Sequence, residues 1–161
     1  MTARRAIGLG IALLVLLADQ ASKAWILYGL DLPRLGRVDL LPVLSLTMVW
    51  NHGVTFGMLQ AGGSGSAILA LVAVAVVGAL GLWLWRAERT LIAAAIGAIA
   101  GGAIGNVIDR LRFGAVVDFI HLHIGGWSWY VFNVGDAAIV CGVAVLALDS
   151  LRPARQSLPS P

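Results

Sequence analysis

The sequence predicts an all-α membrane protein with four transmembrane helices and a small extracytoplasmic β element. Of its 161 residues, 60% are hydrophobic and 12% are charged, about half the charged fraction of a soluble domain. Its mean hydropathy is +0.92. Residues 67–85 and 91–108 contain no Asp, Glu, Lys or Arg, and each stretch can cross a hydrocarbon core of about 30 Å as a helix. A soluble domain and a disordered chain are therefore excluded.

The basic residues border the apolar segments and do not form a nucleic-acid patch, although the isoelectric point is about 9.8. Arginines of one group flank the two ends of the chain and the loop at 86–90: Arg4, Arg5, Arg86, Arg89, Arg152 and Arg155. A smaller group lies in the other connections: Arg34, Arg37, Arg110 and Arg112. Because short cytoplasmic loops carry the excess of Lys and Arg, both termini are expected in the cytoplasm, with 29–66 and 109–131 outside.

The four predicted helices are about 6–28, 67–85, 91–108 and 132–149, within a single integral membrane domain at 1–151. Arg4 and Arg5 ahead of the apolar run 7–18 also fit a cleaved signal peptide. A retained helix is favoured because apolar residues resume at 24–30 and no clean cleavage site follows. The tail at 152–161 contains three prolines and is expected to be a short, disordered cytoplasmic segment.

Residues of about 37–58 predict the β element. The stretch at 43–49, VLSLTMV, partly alternates apolar and small polar residues, as a half-buried strand does. A turn at 51–53 and a returning strand at 54–56 follow. The glycine- and serine-rich stretch at 61–66 is a flexible connector to the second helix.

Small residues in the helices predict packing. Gly97, Gly101 and Gly105 are four apart and share one helix face, which lets another helix approach closely in lipid. A phosphate-binding loop is disfavoured because no strand precedes these glycines and no Lys-Ser/Thr pair follows. Cys141 is the only cysteine, so a disulfide framework is excluded and a packing role is expected.

Ionisable and amide side chains within the apolar segments are the strongest functional signal, because such groups are costly in a membrane. Asp19 and Lys23 are four apart and can pair on one helix face. The others end the third helix, follow it or open the fourth: Asn106, Asp109, Arg110, Asp118, Asn133 and Asp136. With the topology above, all of them converge toward the outer face.

Asp118 and Asp136 suggest a pair of carboxylates that share one proton. Two such groups held a few ångströms apart cannot both ionise cheaply. One then removes a proton from water while the other donates to an amide carbonyl, which is aspartic-protease chemistry. The structural alternatives are an ordinary loop acid at Asp118 and a helix N-terminal acid at Asp136. Asp19–Lys23 and Asp109–Arg110 are expected to be structural ion pairs.

Other sites are less well supported. Ser128 and His121 are near in sequence, but nothing is expected to place a base and an orienting carboxylate around this serine. His121, His123 and Asp118 have a weak metal-ligand spacing without a nearby Cys or Glu. A non-enzymatic transport subunit remains open, with the acids and Arg110 relaying protons or binding an ion. A relay would also need polar groups toward the inner face, where residues 7–18 are wholly apolar.

Five stretches in order resemble those of a known family, the lipoprotein signal peptidases, also called signal peptidase II. They are DQASKAW at 19–25, WNHGVTFG at 50–57, GGAIGNVIDRL at 101–111, VVDFI at 116–120 and FNVGDAAI at 132–139. The resemblance implies an intramembrane aspartic endopeptidase of the bacterial inner membrane. It would cut prolipoprotein signal peptides just before a diacylglyceryl-modified cysteine, in contact with membrane lipid and without a metal or an organic cofactor. The motifs give no sign that a second subunit completes the site, so a monomer is expected.

The resemblance also implies residue roles. Asp118 and Asp136 would be the catalytic dyad, and Asp19 with Lys23 would be a mostly structural polar pair. The residues expected to bind substrate or support the dyad are Asn51, Gly53, Asn106, Arg110 and Asn133.

Two departures from the family pattern lie close to Asp136. Tyr130-Val131 stands where the family often has Pro-Ala, which removes a fixed φ and restores a backbone donor. Gly135 stands in place of the usual Ala, and it is expected to add local freedom.

Overall fold

A computed structural model of the chain describes residues 2–53 and 64–151. Helix α1 (Ala3–Ala24) continues through one π-helical turn, Trp25–Gly29, into the short helix α2 (Leu32–Leu35). The longer helices that follow are α3 (Ser64–Arg86), α4 (Thr90–Phe113) and α5 (Val134–Ser150). The strands are β1 (Arg37–Leu41), β2 (Leu44–Asn51), β3 (Val116–Ile124) and β4 (Trp127–Ser128).

Three segments of the described chain are long and apolar enough to cross a membrane: Ala3–Gly29, Ala67–Arg86 and Thr90–Phe113. They correspond to the first three predicted helices. The fourth predicted helix corresponds to α5, which has 17 residues and is about 25 Å long at 1.5 Å per residue. The molecule is thus mostly helical, with three candidate spans and a small antiparallel sheet.

Helix α4 continues five residues beyond the predicted end at residue 108. The prediction was wrong because Asp109 and Arg110 were taken to mark the exit from the membrane. Both side chains instead face protein groups inside the fold, so the helix continues. It ends where Gly114 adopts a left-handed conformation, with φ of 72°, which favours glycine.

The glycine stripe of α4 contacts α1, which confirms the predicted packing face. The Cα atoms of Gly97 and Gly101 lie so close to the carbonyl oxygens of Gly8 and Ala12 that a Cβ would overlap them. On another face of α4, Gly102 approaches the backbone of Gly135 in α5 in the same way. These close approaches bring α1 and α5 to the polar end of α4.

The four strands form one antiparallel sheet in the order β1-β2-β3-β4. The predicted strand near 43–49 is confirmed as β2, but its partners are β1 and β3, with Val49 opposite Asp118. The predicted returning strand at 54–56 lies outside the described residues. The stretch 109–131 was expected only as an outer connection, yet it supplies both β3 and β4.

A cluster of buried apolar side chains holds the sheet against the end of α1. Ile26, Leu27 and Leu32 pack against the sheet, and all six members of the cluster are buried: Ile26, Leu27, Leu32, Leu46, Val117 and Phe119. Burial of one such side chain contributes about 1.5–3 kcal/mol. Asp118 lies between two of these anchors, so its backbone position is set by the core.

The opposite end of the molecule gathers the start of α1, the end of α3, the start of α4 and the end of α5. The Arg5 guanidinium donates to the Trp85 carbonyl oxygen at 2.7 Å. Arg89 forms an ion pair with Asp149. Arg5 and Arg89 therefore lie at the end of the helices opposite the sheet.

Candidate active site

Asp118 is a buried carboxylate on β3. Only 1% of the surface of Asp118 is exposed. One carboxylate oxygen accepts from Asn51 Nδ2 at 2.9 Å, and the other accepts from Asn133 Nδ2 at 2.7 Å. Burial and the nearby Asp136 charge raise the pKa of Asp118, the two amide donors and the Lys23 charge lower it, and the net result is a pKa of about 6. This carboxyl group therefore binds a proton more readily than an exposed aspartate does.

Asp136 lies in the first turn of α5, where it forms a capping box with Asn133. The Asp136 N–H donates to Asn133 Oδ1 at 2.9 Å, and the Asn133 N–H donates to Asp136 Oδ2 at 3.2 Å. Its other oxygen accepts from Asn106 Nδ2 at 2.8 Å. Capping thus fixes the carboxylate to the helix that carries it.

Asparagine side chains join the two carboxylates into one network. Asn133 Nδ2 donates to both Asp118 and Asn106 Oδ1, the latter at 3.2 Å. Asn106 in turn donates to Asp136. Rotation of either amide by 180° would set donors against donors. The structure therefore brings together five residues that the sequence placed at the site: Asn51, Asn106, Asp118, Asn133 and Asp136.

Arg110 lies one turn after Asn106 on α4, and its charge interacts with the carboxylates of Asp136 and Asp118. Its Nη1 lies 3.4 Å from the Asn106 carbonyl oxygen. Its Nε is buried and has no hydrogen-bond partner among the residues that the structure describes. Arg110 therefore supplies positive charge beside the two aspartates.

Gly53 ends the segment that carries Asn51. Its N–H donates to Asn51 Oδ1 at 2.9 Å, and its φ is 73°, a conformation that favours glycine. The resulting turn confirms the interpretation of residues 51–53. It also holds the Asn51 side chain so that its NH₂ group faces Asp118.

Asp19 and Lys23 form the predicted ion pair, with 2.8 Å between Nζ and Oδ2. The predicted pairing of Asp109 with Arg110 is wrong. Asp109 pairs with Lys23 at 2.8 Å and accepts from the Val117 N–H at 3.1 Å. Adjacent residues of a helix point in different directions, so Asp109 faces α1 while its neighbour does not.

Gln20 belongs to the polar network around Asp19 and Asp109, and the sequence predicted no role for it. Its Nε2 donates to Asp109 Oδ1 at 3.1 Å and to Asp19 Oδ2 at 3.2 Å. Its position directly beside Asp19 in an otherwise apolar helix was the available signal.

His121 lies beside Ser128, but in the part of the chain that the structure describes, the base and orienting carboxylate that a serine-type site needs do not occur together, as expected from the sequence. Its Nε2 is 2.5 Å from Ser128 Oγ. Its Nδ1 lies against the Thr47 hydroxyl at 3.3 Å, where a serine-type triad would have a carboxylate. Partial burial and the charges of His123 and Arg37 lower the pKa of His121. Within the described ranges, no three His, Cys, Asp or Glu side chains come together as metal ligands would.

Two cavities border the aspartates. A cleft of about 640 Å³ extends from Asp118 and Asn51 to Trp129 and Tyr130. A smaller, largely apolar cavity of about 300 Å³ borders Asp136 and continues along α5 to Cys141. A substrate between the two aspartates would thus meet a cleft of mixed polar and apolar side chains on one side and a largely apolar cavity on the other.

The two departures near Asp136 have different structural settings. The segment containing Tyr130 and Val131 is held at both ends, by Trp129 N–H on Leu122 and by Phe132 N–H on Ile120. Gly135 has a different structural role, a close contact with Asp19. Its N–H donates to Asp19 Oδ1 at 2.8 Å, and a Cβ would lie 3.0 Å from that oxygen, so glycine permits a close approach here.

Comparison with known proteins identifies the family. A family model described as Signal peptidase (SPase) II matches residues 11–152. The chain belongs to the signal peptidase II family. Its relatives in this family include lipoprotein signal peptidases of Methylorubrum extorquens (strain PA1), 55% identical over 89% of this chain and 85% of the relative, and of Methylobacterium radiotolerans, 50% identical over 95% and 90%.

Solved structures agree with this signal peptidase II assignment. A bacterial membrane enzyme determined in meso at 2.3 Å resolution has a TM-score of 0.77 and 25% identity, over 96% of this chain and 93% of the other. A second, at 1.9 Å, has a TM-score of 0.78 and 26% identity, over 91% and 94%. Family membership and the apolar helices make this signal peptidase II homologue a protease of a bacterial membrane.

Proposed function

We propose that the chain is an intramembrane aspartic endopeptidase that removes signal peptides from prolipoproteins, cutting before the diacylglyceryl-modified cysteine. The observation that carries the proposal is the pair Asp118 and Asp136, linked through Asn133 and Asn106. The names of the relatives support the substrate class. Neither the family nor these relatives support the transport subunit that the sequence left open.

The two carboxylates have different surroundings, and these support different roles. Asp118, with its raised pKa, is the acid that donates a proton to the scissile carbonyl oxygen. Asp136 accepts two N–H groups at the positive end of a helix dipole, a setting that suits a carboxylate. Asp136 removes a proton from water as the water attacks, and it gives that proton to the leaving nitrogen. Asp118 recovers its own proton when the tetrahedral intermediate collapses.

Residues around the dyad offset its negative charge and border the cleft that takes the peptide. Arg110 offsets the negative charge of the dyad, and Asn51 with Gly53 borders the cleft that takes the peptide. The substrate enters sideways from the bilayer. Neither a metal nor an organic cofactor takes part, and the enzyme acts as a monomer.

We also propose that α5 is the fourth span of a single domain over 1–151 in the inner membrane. The basic chain ends then lie in the cytoplasm and the dyad lies toward the outer face. The gathering of Arg5 and Arg89 at the end opposite the sheet supports this orientation.

The test is cleavage of a diacylglyceryl-modified prolipoprotein by the purified protein in detergent, followed on a gel, with mass spectrometry of the new N-terminus. Asp118→Asn and Asp136→Asn should each reduce cleavage about a hundredfold or more, as loss of a general acid or base does. Ser128→Ala is the matched control in the same cleft, and it should stay within about threefold of wild type. Cleavage that survives Asp136→Asn but is lost in Ser128→Ala would overturn the aspartic mechanism.

A further inference from the structure

We propose that Lys23, together with Asp19 and Asp109, sets the position of the two catalytic aspartates relative to each other. We call these three residues the buried triad. The inference rests on the proposed function, and it assigns positioning residues to that reaction. The proposed role differs from that of an ion pair that only joins two helices.

The buried triad uses every donor of Lys23. The ammonium group carries three N–H donors. They reach Asp19 Oδ2 and Asp109 Oδ2, each at 2.8 Å, and Asn106 Oδ1 at 3.1 Å. The three charged residues are between 0% and 2% exposed, so no donor is left to water.

Both acids of the buried triad hold the backbone directly ahead of a catalytic aspartate. Asp19 Oδ1 accepts from the N–H of Gly135, the residue before Asp136, at 2.8 Å. Asp109 Oδ2 accepts from the N–H of Val117, the residue before Asp118, at 3.1 Å. Lys23 therefore connects the peptide units that lead into both carboxylates.

The third hydrogen bond of Lys23 connects it to the dyad through the side chain of Asn106. Asn106 Oδ1 accepts from Lys23 and from Asn133 Nδ2, so its NH₂ group must face the other way. That group donates to Asp136 at 2.8 Å. Loss of the ammonium group would remove one of the two donors that fix this orientation.

Energetics favour a positioning role over a purely stabilising one. A buried ion pair often adds little stability compared with apolar residues of similar volume. Placement of reacting groups, by contrast, matters strongly, since an error of about 1 Å can cost about a hundredfold in rate. Without Lys23, the carboxylates of Asp19 and Asp109 would repel each other. Each would carry its attached peptide unit away, and the two catalytic aspartates would separate.

The test compares kcat, KM and thermal unfolding of purified variants, with kcat normalised to folded protein. Lys23→Met should lower kcat about a hundredfold and leave KM within about threefold. Adding Asp109→Asn to Lys23→Met removes the repulsion and keeps an oxygen acceptor for the Val117 N–H. This double variant should regain at least about tenfold in kcat, because the two sites are in contact and non-additive.

Arg89→Met is the control, since it breaks an ion pair between the residue that precedes α4 and Asp149 of α5, at the end of the helices far from the dyad. It should lower the unfolding temperature without changing kcat. A Lys23→Met variant that behaves like this control would overturn the inference, as would a double variant no faster than the single one.

If Lys23→Met does not fold, Asp109→Asn alone decides the question. It should lower kcat about tenfold with KM unchanged, and an unchanged kcat would count against the inference. A wild-type protein that cleaves, with an inactive Asp136→Asn variant, keeps the proposed function even when the buried triad fails this test. A folded wild-type protein that does not cleave would instead remove the proposed function and this inference together.

Discussion

Asn51 controls the protonation of Asp118 through one hydrogen bond. The bond favours the ionised carboxylate and so lowers the pKa of Asp118 against the effect of burial. Asn51→Ala removes this donor, so the pKa should rise above about 6. If catalysis needs the protonated form, activity falls as pH rises through this value. The alkaline limb of kcat/KM, which reports the free enzyme, should therefore move to higher pH in the variant.

The control for this pH profile is Thr47→Val on the same strand. The Thr47 hydroxyl contacts His121, so the alkaline limb of this variant should match that of wild type. An alkaline limb that stays in place or moves to lower pH in Asn51→Ala would contradict the assignment of Asp118 as the acid.

Several single residues at the site were predictable from the sequence because charges and amides are rare in apolar helices. Asp136, Asn106 and Asn133 stood out on this ground, and Asp118 stood out because apolar residues flank it on both sides. The structure brings the four residues together. The partner of Asp109 was not predictable. An adjacent arginine offered a nearer cation in sequence, while the actual partner, Lys23, lies 86 positions away on another helix.

The packing of α1 against α4 depends on the glycines of α4, which have no side chain. Gly101→Leu would place a side chain against the Ala12 carbonyl oxygen and Val15 of α1. Overpacking of this kind costs about 1–3 kcal/mol, and it would move α1, with Asp19 and Lys23, away from Asp109. We expect a lower unfolding temperature in detergent and reduced cleavage.

Gly78→Leu tests the same change on α3, where an added Cβ meets no atom within 4 Å. Its unfolding temperature should stay close to that of wild type. Equal losses in the two variants would show that close approach at Gly101 does not matter.

The strands that were not predicted from the sequence form by pairing between segments that are far apart in the chain. Strand β3 has the alternation typical of a strand at 120–124, IHLHI, but the sequence analysis assigned 109–131 only as an outer connection. Its partner β2 is about 70 positions earlier, with Asn51 opposite Val116. The helices were predictable because their signal, an uninterrupted apolar run, is local.

The described part of the molecule has two different ends, with Arg5 and Arg89 at one end of the helices and the sheet at the other. We expect a cysteine introduced by Arg34→Cys, in a Cys141→Ala background, to react with a membrane-impermeant maleimide added to intact spheroplasts. A Glu88→Cys variant should react only after permeabilisation, because residue 88 lies in the arginine-flanked loop. The reverse pattern would place the dyad on the cytoplasmic side.

The hydrogen bond from Gly135 N–H to Asp19 Oδ1 joins positions 116 residues apart. Asp136 and α5 must therefore be synthesised long after Asp19 before the second aspartate and its anchor exist together. Under the proposed function, a nascent chain that stops before Asp136 lacks half of the dyad, so it cannot cleave the membrane proteins around it.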